Sequence, residues 1–148
     1  MYDKILVALD GSGGAQQAAE HAIALARSLG ATLRMVCVVD SAGLAASLPG
    51  MAEAMSGDAR LLLDDWMNRA ALYGVDTSSA LLETGAASTR VADAICAEAS
   101  RWAARLVVLG SQGHSAVGNW LLGSVAEAAA RTCGCPVLLV HPGDANAP

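Results

Sequence analysis

Phenylalanine is absent, and aromatic residues together make up only 3% of the 148-residue chain. Since 54% of the residues are apolar, the interior must be built from Ala, Leu, Val and Ile, which suits closely packed layers of helix on sheet. Lysine occurs once, as Lys4, no basic cluster exceeds two residues, and the net charge is −5. A nucleic-acid partner is not expected, because a phosphate backbone demands a positive face. No apolar run is long enough to span a bilayer. Asp3 and Lys4 precede an apolar run of only five residues, Ile5 to Leu9, which does not read as a secretion signal. The expectation is a cytoplasmic protein forming one domain over residues 1–148, with room for a full core.

Two phosphate-binding strings are also missing. No Gly-x4-Gly-Lys-[Ser/Thr] occurs. The dinucleotide fingerprint begins at Gly11-Ser12-Gly13 but has Gln16 where its third glycine belongs. Any bound phosphate would be held mainly by backbone amides and dipoles. Of the four cysteines, Cys37 falls in an apolar strand run and Cys96 in a helical pattern, and both read as small buried hydrophobes. Cys133-Gly-Cys135 is closely spaced but has no second Cys/His pair near it in sequence, as a zinc site would need. A redox role is the alternative reading.

Apolar runs alternate with helical patterns along the chain. Strands are expected at Ile5–Leu9, Leu33–Val39, Thr77–Glu83, Leu106–Leu109 and Pro136–Val140. The third is the most polar and is placed nearest an edge. Helical spacing joins Ala15, Ala18, Ala22, Ile23 and Ala26; then Leu62, Trp66 and Ala70; then Val91, Ile95, Ala99 and Trp102; then Val125, Ala126, Ala129 and Cys133. Gly30 stands at a helix C-cap position. Residues 41–57, rich in Ser, Ala and Gly, read as a flexible insertion, and 143–148 as a loose tail. Strict β-α alternation predicts an α/β fold: an open, Rossmann-like, five-stranded parallel sheet with helices on both faces. Ligands bind such sheets at the carboxyl ends of the strands. Asp10, Asp40 and Gly110 each follow directly after a strand, so all three belong to that edge.

The stretch 110–124, GSQGHSAVGNWLLGS, is the most pointed signal. Gly110-x2-Gly113-x9-Gly123-Ser124 follows a strand, and Gly123-Ser124 opens a helix. Glycines allow close backbone approach, and the helix start favours an anion. With the opening Lys4-Ile-Leu-Val-Ala-Leu-Asp10-Gly-Ser12, the strand end Val38-Val39-Asp40 and the closing Cys135-Pro-Val-Leu-Leu-Val140, it makes almost the whole chain resemble the universal stress protein family.

That resemblance implies strand order 3-2-1-4-5 in a fold similar to the adenine-nucleotide α-hydrolases, with the switch point between strands one and four. It implies the ATP-binding class, which carries this glycine pattern. Carried over by position, Ala8 and Leu9 would contact the nucleotide, and Asp10 would meet the ribose or, through water, a Mg²⁺ at the phosphates. Val38 would offer its backbone to adenine. Leu109, Gly110, Gly113, His114, Gly123, Ser124 and Val125 would wrap ribose and phosphates. The resemblance also implies a homodimer pairing Val137–Val140, and a regulatory stress-response role with an unidentified protein partner.

Two positions depart from the family pattern: Cys37 where His is common, and His114 where Arg or Lys is common. An imidazole holds a triphosphate less firmly than a fixed cation. With no lysine and no evident arginine in the glycine stretch, slow or no hydrolysis is expected. A slow ATPase or α-hydrolase-type enzyme, and a nucleotide-independent dimeric binding protein, are the alternatives. Several residues keep a plainer reading beside the functional one. Ser124 and Glu127 have capping-box spacing. Asp10 can be a turn residue, Asp40 a strand end, and Trp120 packing beneath the glycine stretch.

Overall fold

Lys4–Leu9 forms β1, and Ile5, Leu6 and Val7 within it are fully buried. A run with no polar alternation suits a strand covered on both faces. The computed structural model describes residues 1–40, 47–84, 90–112 and 122–142. Within them β1 is followed by α1 (Gly13–Leu29), β2 (Thr32–Val39), α2 (Met51–Leu72), β3 (Thr77–Glu83), α3 (Val91–Trp102), β4 (Leu106–Gly110), α4 (Ser124–Thr132) and β5 (Val137–Val140). The strands form one sheet in the order β3-β2-β1-β4-β5, and every pairing is parallel. Fold class and strand order are as expected, with the half-exposed β3 at an edge.

The helices divide between the faces because the winding direction reverses once. Right-handed crossovers from β1 to β2 to β3 put α1 and α2 on one side; the step back to β4 and β5 puts α3 and α4 on the other. The alternation of side chains follows. Ile5, Val7 and Leu9 pack with Ala18, Ala22 and Ile23 of α1 and with Leu63, Trp66 and Ala70 of α2. Leu6 turns the other way, toward Ala92, Ile95 and Ala99 of α3 and Ala129 of α4. On this face the helices offer mainly alanines, with Ile95 the large buried side chain among them.

α1 begins where the Ser12 hydroxyl accepts the Ala15 N–H at 3.2 Å. It ends at Gly30, whose φ of 63° is left-handed and whose N–H reaches the Ala26 carbonyl. α2 starts earlier than its apolar spacing suggests. Met51 to Gly57, expected as part of a flexible insertion at 41–57, are helical; residues 41–46 of that stretch lie outside the described residues. Met51 and Met55 stand four apart there, and Met55 packs against the core, but with small and polar residues between them the stripe was too thin to extend the helix from sequence.

Toward the amino ends of the strands, Arg34 of β2 donates to Glu98 of α3 and to Ser78 of β3, both at 2.9 Å. Arg101 also donates to Glu98. The Trp102 ring lies under both Lys4 and Arg34, at 5.2 and 5.8 Å. Hydrogen bonding from Arg101, joined by Arg34, outweighs burial and holds the Glu98 carboxyl below its ordinary value.

Candidate functional site

The carboxyl ends of β1 and β4 lie side by side at the switch point, where the chain leaves β1 toward one face and β4 toward the other. The divergence opens a cavity of about 280 Å³. Ala8, Leu9, Asp10, Val38, Leu109, Gly110, Gly123, Ser124 and Val125, all singled out in the sequence, line it. Gly113, His114 and Trp120 lie outside the described residues. Ala15, Val91, Ile95, Gln112 and Ala126 also line the cavity without having been anticipated as site residues. Val91 and Ile95 were legible only as one face of a helix; nothing in their spacing separates a core contact from a ligand wall.

β1 delivers Asp10 to the rim. The Ser12 N–H donates to Asp10 Oδ1 at 2.9 Å, and Gly11 takes a left-handed φ of 79°. The turn reading of Asp10 therefore holds together with its place at the cavity. Asp40 is different: it accepts the Thr84 hydroxyl at 2.9 Å, tying the ends of β2 and β3, and does not line the cavity. Cys37 is buried beside Val38, and burial, then the Asp10 charge, push its thiol pKa up.

Gly110 has a purpose the sequence did not show. An added Cβ would meet the Gly14 carbonyl carbon at 2.7 Å, and a Cβ on Gly14 would meet the Gln112 carbonyl oxygen at 2.5 Å. These glycines let the first turn of α1 rest directly on the end of β4. The fully buried Ser111 then joins three segments. Its N–H donates to the Val140 carbonyl (2.9 Å), its carbonyl accepts the Gly123 N–H (2.7 Å), and its hydroxyl bonds His141 Nδ1 (2.9 Å). Ser111 thereby fixes where α4 begins relative to β4 and β5.

The expected capping box does not form. The N-cap of α4 is Gly123, with no side-chain cap, and Glu127 pairs with Arg131 instead. Ser124 is the first helical residue, one position too late to cap, and it faces the cavity. The reading of the cysteines also needs correction. Cys96 of α3 and Cys133, the C-cap of α4, form a disulfide. A helix stripe does not reveal which residue of a neighbouring helix stands opposite Cys96. Cys37 and Cys135 are free.

No group of three or more potential metal-ligating side chains occurs among the described residues, and no described helix is long and apolar enough to cross a membrane. No Lys or Arg lines the cavity among those residues. Its walls are the apolar side chains of Leu9, Val38, Val91, Ile95 and Leu109. Its polar features are Asp10, Gln112, and the start of α4 at Gly123 and Ser124. This arrangement can hold a flat apolar group with an anionic end at the helix start.

Comparison with known proteins gives a consistent result. A universal stress protein of Thermus aquaticus is 36% identical over 141 residues, covering 95% of this chain and 100% of that protein. A crystal structure of a universal stress protein family member from Burkholderia pseudomallei superposes with a TM-score of 0.78 at 34% identity, covering 96% of this chain and 97% of the other. A universal stress protein crystallised in complex with cAMP superposes with a TM-score of 0.68 at 25% identity, covering 96% and 98%. The family model for universal stress proteins matches residues 1–141, and with such relatives aligned along nearly its full length the chain belongs to the universal stress protein family.

Proposed function

We propose that the protein binds ATP in the cavity between β1 and β4 and acts as a nucleotide-dependent regulatory protein with slow or no hydrolysis. The observation that carries this reading is the convergence of nine anticipated residues, from Ala8 to Val125, on one cavity at the switch point. Val38, Val91, Ile95 and Leu109 offer apolar surface to a base, while the N–H groups at the start of α4 face the anionic end. The cAMP complex of a relative supports an adenine nucleotide as the ligand class.

Mg²⁺ fits this arrangement as a companion of the phosphates. It is usually held by one or two carboxylates plus phosphate oxygens, and Asp10 is the only carboxylate lining the cavity among the described residues. Asp10 would reach the ion through water, and the ion would neutralise phosphate charge. Turnover needs a positioned water and charge neutralisation at the transferred group; the lack of a described lining cation argues for binding rather than rapid chemistry.

The test is mass spectrometry of the ligand carried by freshly purified protein, with thermal shift in millimolar ATP and Mg²⁺. Bound adenine nucleotide, or a clear rise in Tm, is expected. An empty protein with no shift would refute the reading. Chromatography of products then separates unchanged ATP, expected here, from ADP or from AMP with pyrophosphate.

A further inference from the structure

α4 is the shortest of the helices that border the cavity. It has nine residues, and only Ala126 and Ala129 are buried. A helix this short has little stability of its own, and two alanines remove little apolar surface from water. Across from them stand Ala92, Ile95 and Ala99 of α3, and Val125, Ala128 and Cys133 of α4 are only partly covered. Yet α4 supplies Ser124, Val125 and Ala126 to the cavity, opposite Val91 and Ile95 of α3.

Two fastenings compensate. At the start of α4, the Gly123 N–H is held by the Ser111 carbonyl. At its end, Cys133 is bonded to Cys96, the residue directly after Ile95. Cys96 and Cys133 are both half-buried rather than core residues. The remaining cysteines do not compete well. Cys37 is buried on the opposite face of the sheet, and burial raises the Cys135 thiol pKa, leaving it a poor attacking group.

We infer that the Cys96–Cys133 disulfide is a redox-controlled tie between α3 and α4, closing the nucleotide cavity when oxidised and loosening it when reduced. The inference rests on the nucleotide reading of that cavity. The chemistry is two-electron thiol–disulfide exchange. A thiolate of a dithiol reductant attacks one sulfur and forms a mixed disulfide, releasing the other cysteine as a thiolate that takes a proton. The reductant's second thiol then releases the remaining cysteine and leaves as its own disulfide. In a reducing compartment the bond forms only under oxidising conditions, so the nucleotide-holding state would be the oxidised one.

The test compares oxidised protein with dithiothreitol-reduced protein. Alkylation under denaturing conditions should count two free thiols before reduction and four after, matching four cysteines of which two are bonded. Four thiols in air-oxidised protein would overturn the inference. Hydrogen exchange on the nucleotide-free protein should show α4 amides losing about tenfold or more in protection on reduction, while β1 and β4 amides hold. Unchanged α4 protection would overturn it, whatever the protein binds. ATP affinity should fall several-fold on reduction and in Cys96→Ser, and Cys135→Ser should keep the wild-type response. Equal ATP affinity in both redox states would overturn the inference. Absence of ATP binding in both states would instead refute the nucleotide reading, leaving the α4 exchange result to decide the tie.

Discussion

A Cβ placed on Gly110 would stand 2.7 Å from the carbonyl carbon of Gly14. The glycine that opens the Gly110-x2-Gly113-x9-Gly123-Ser124 pattern is therefore required by the packing of the fold before any ligand arrives. β4 and α1 meet backbone to backbone at this point, and the cavity rim takes its shape from that contact.

Gly110→Ala should accordingly destabilise the ligand-free protein by about 1–3 kcal/mol, the usual cost of overpacking a tight contact. Gly14→Ala should behave alike, since its Cβ would meet the Gln112 carbonyl. Gly13→Ala, with nothing within 4 Å, is the control and should be near neutral. Urea unfolding of the three variants without nucleotide is the measurement. Equal stability of Gly110→Ala and wild type would show that the contact can relax.

Asp10→Asn separates the turn role of this residue from its proposed role toward the phosphates. An amide oxygen can still accept the Ser12 N–H, so the fold should be kept. In Mg²⁺, ATP affinity should fall by up to about tenfold, or 1.4 kcal/mol. Without Mg²⁺ it should hold or improve, because a negative charge near the phosphates has been removed. Calorimetric titration with and without the ion reads the difference directly.

Glu98 gives the fold a pH dependence whose sign is fixed by its partners. Its folded pKa lies below the ordinary 4.5, chiefly through Arg101. A depressed carboxylate contributes stability that is complete above its unfolded value and is lost as pH falls through the folded value. Glu98→Gln should cost about 1–2 kcal/mol at pH 7, discounted because Arg101 is exposed. The gap between variant and wild type should close below the ordinary carboxylate range. Thermal unfolding across that range is the check; a constant gap would mean the lost contribution is packing rather than charge.

β5 is an edge strand of four residues, and all four are half-exposed. Such an edge is a template for pairing with another strand. The expected homodimer through Val137–Val140 should appear by light scattering at twice the chain mass of 14.9 kDa. A monomer at micromolar concentration would remove the strand-pairing proposal.

The architecture was readable because its signals are local. Ile5 to Leu9 form an unbroken apolar run, the alanines of α1 recur at helical spacing, and Asp10 and Gly110 end their strands. Gly30 closes α1 as its position suggested. What escaped the sequence depends on partners far along the chain. Arg34 looks out of place in an apolar strand until Glu98 and Ser78 are brought beside it. Cys96 and Cys133, 37 positions apart, meet only once α3 and α4 lie on one face. Ser124 satisfied the spacing of a capping box but not its geometry, since the helix starts on Ser124 and not after it. Val91 and Ile95 serve core and cavity with the same side chains, a double use no periodicity can distinguish.

Lys4 and Arg34 both stand over Trp102, which also accepts the Lys4 ammonium at its carbonyl, 3.2 Å away. α3 carries Val91 at the cavity and Trp102 at its far end, a span of about 16 Å at 1.5 Å per residue. The indole is thus an optical reporter built into the end of the molecule away from the cavity. With Lys4 and Arg34 against its ring, its fluorescence should respond to unfolding of this end while remaining distant from quenching by whatever occupies the cavity.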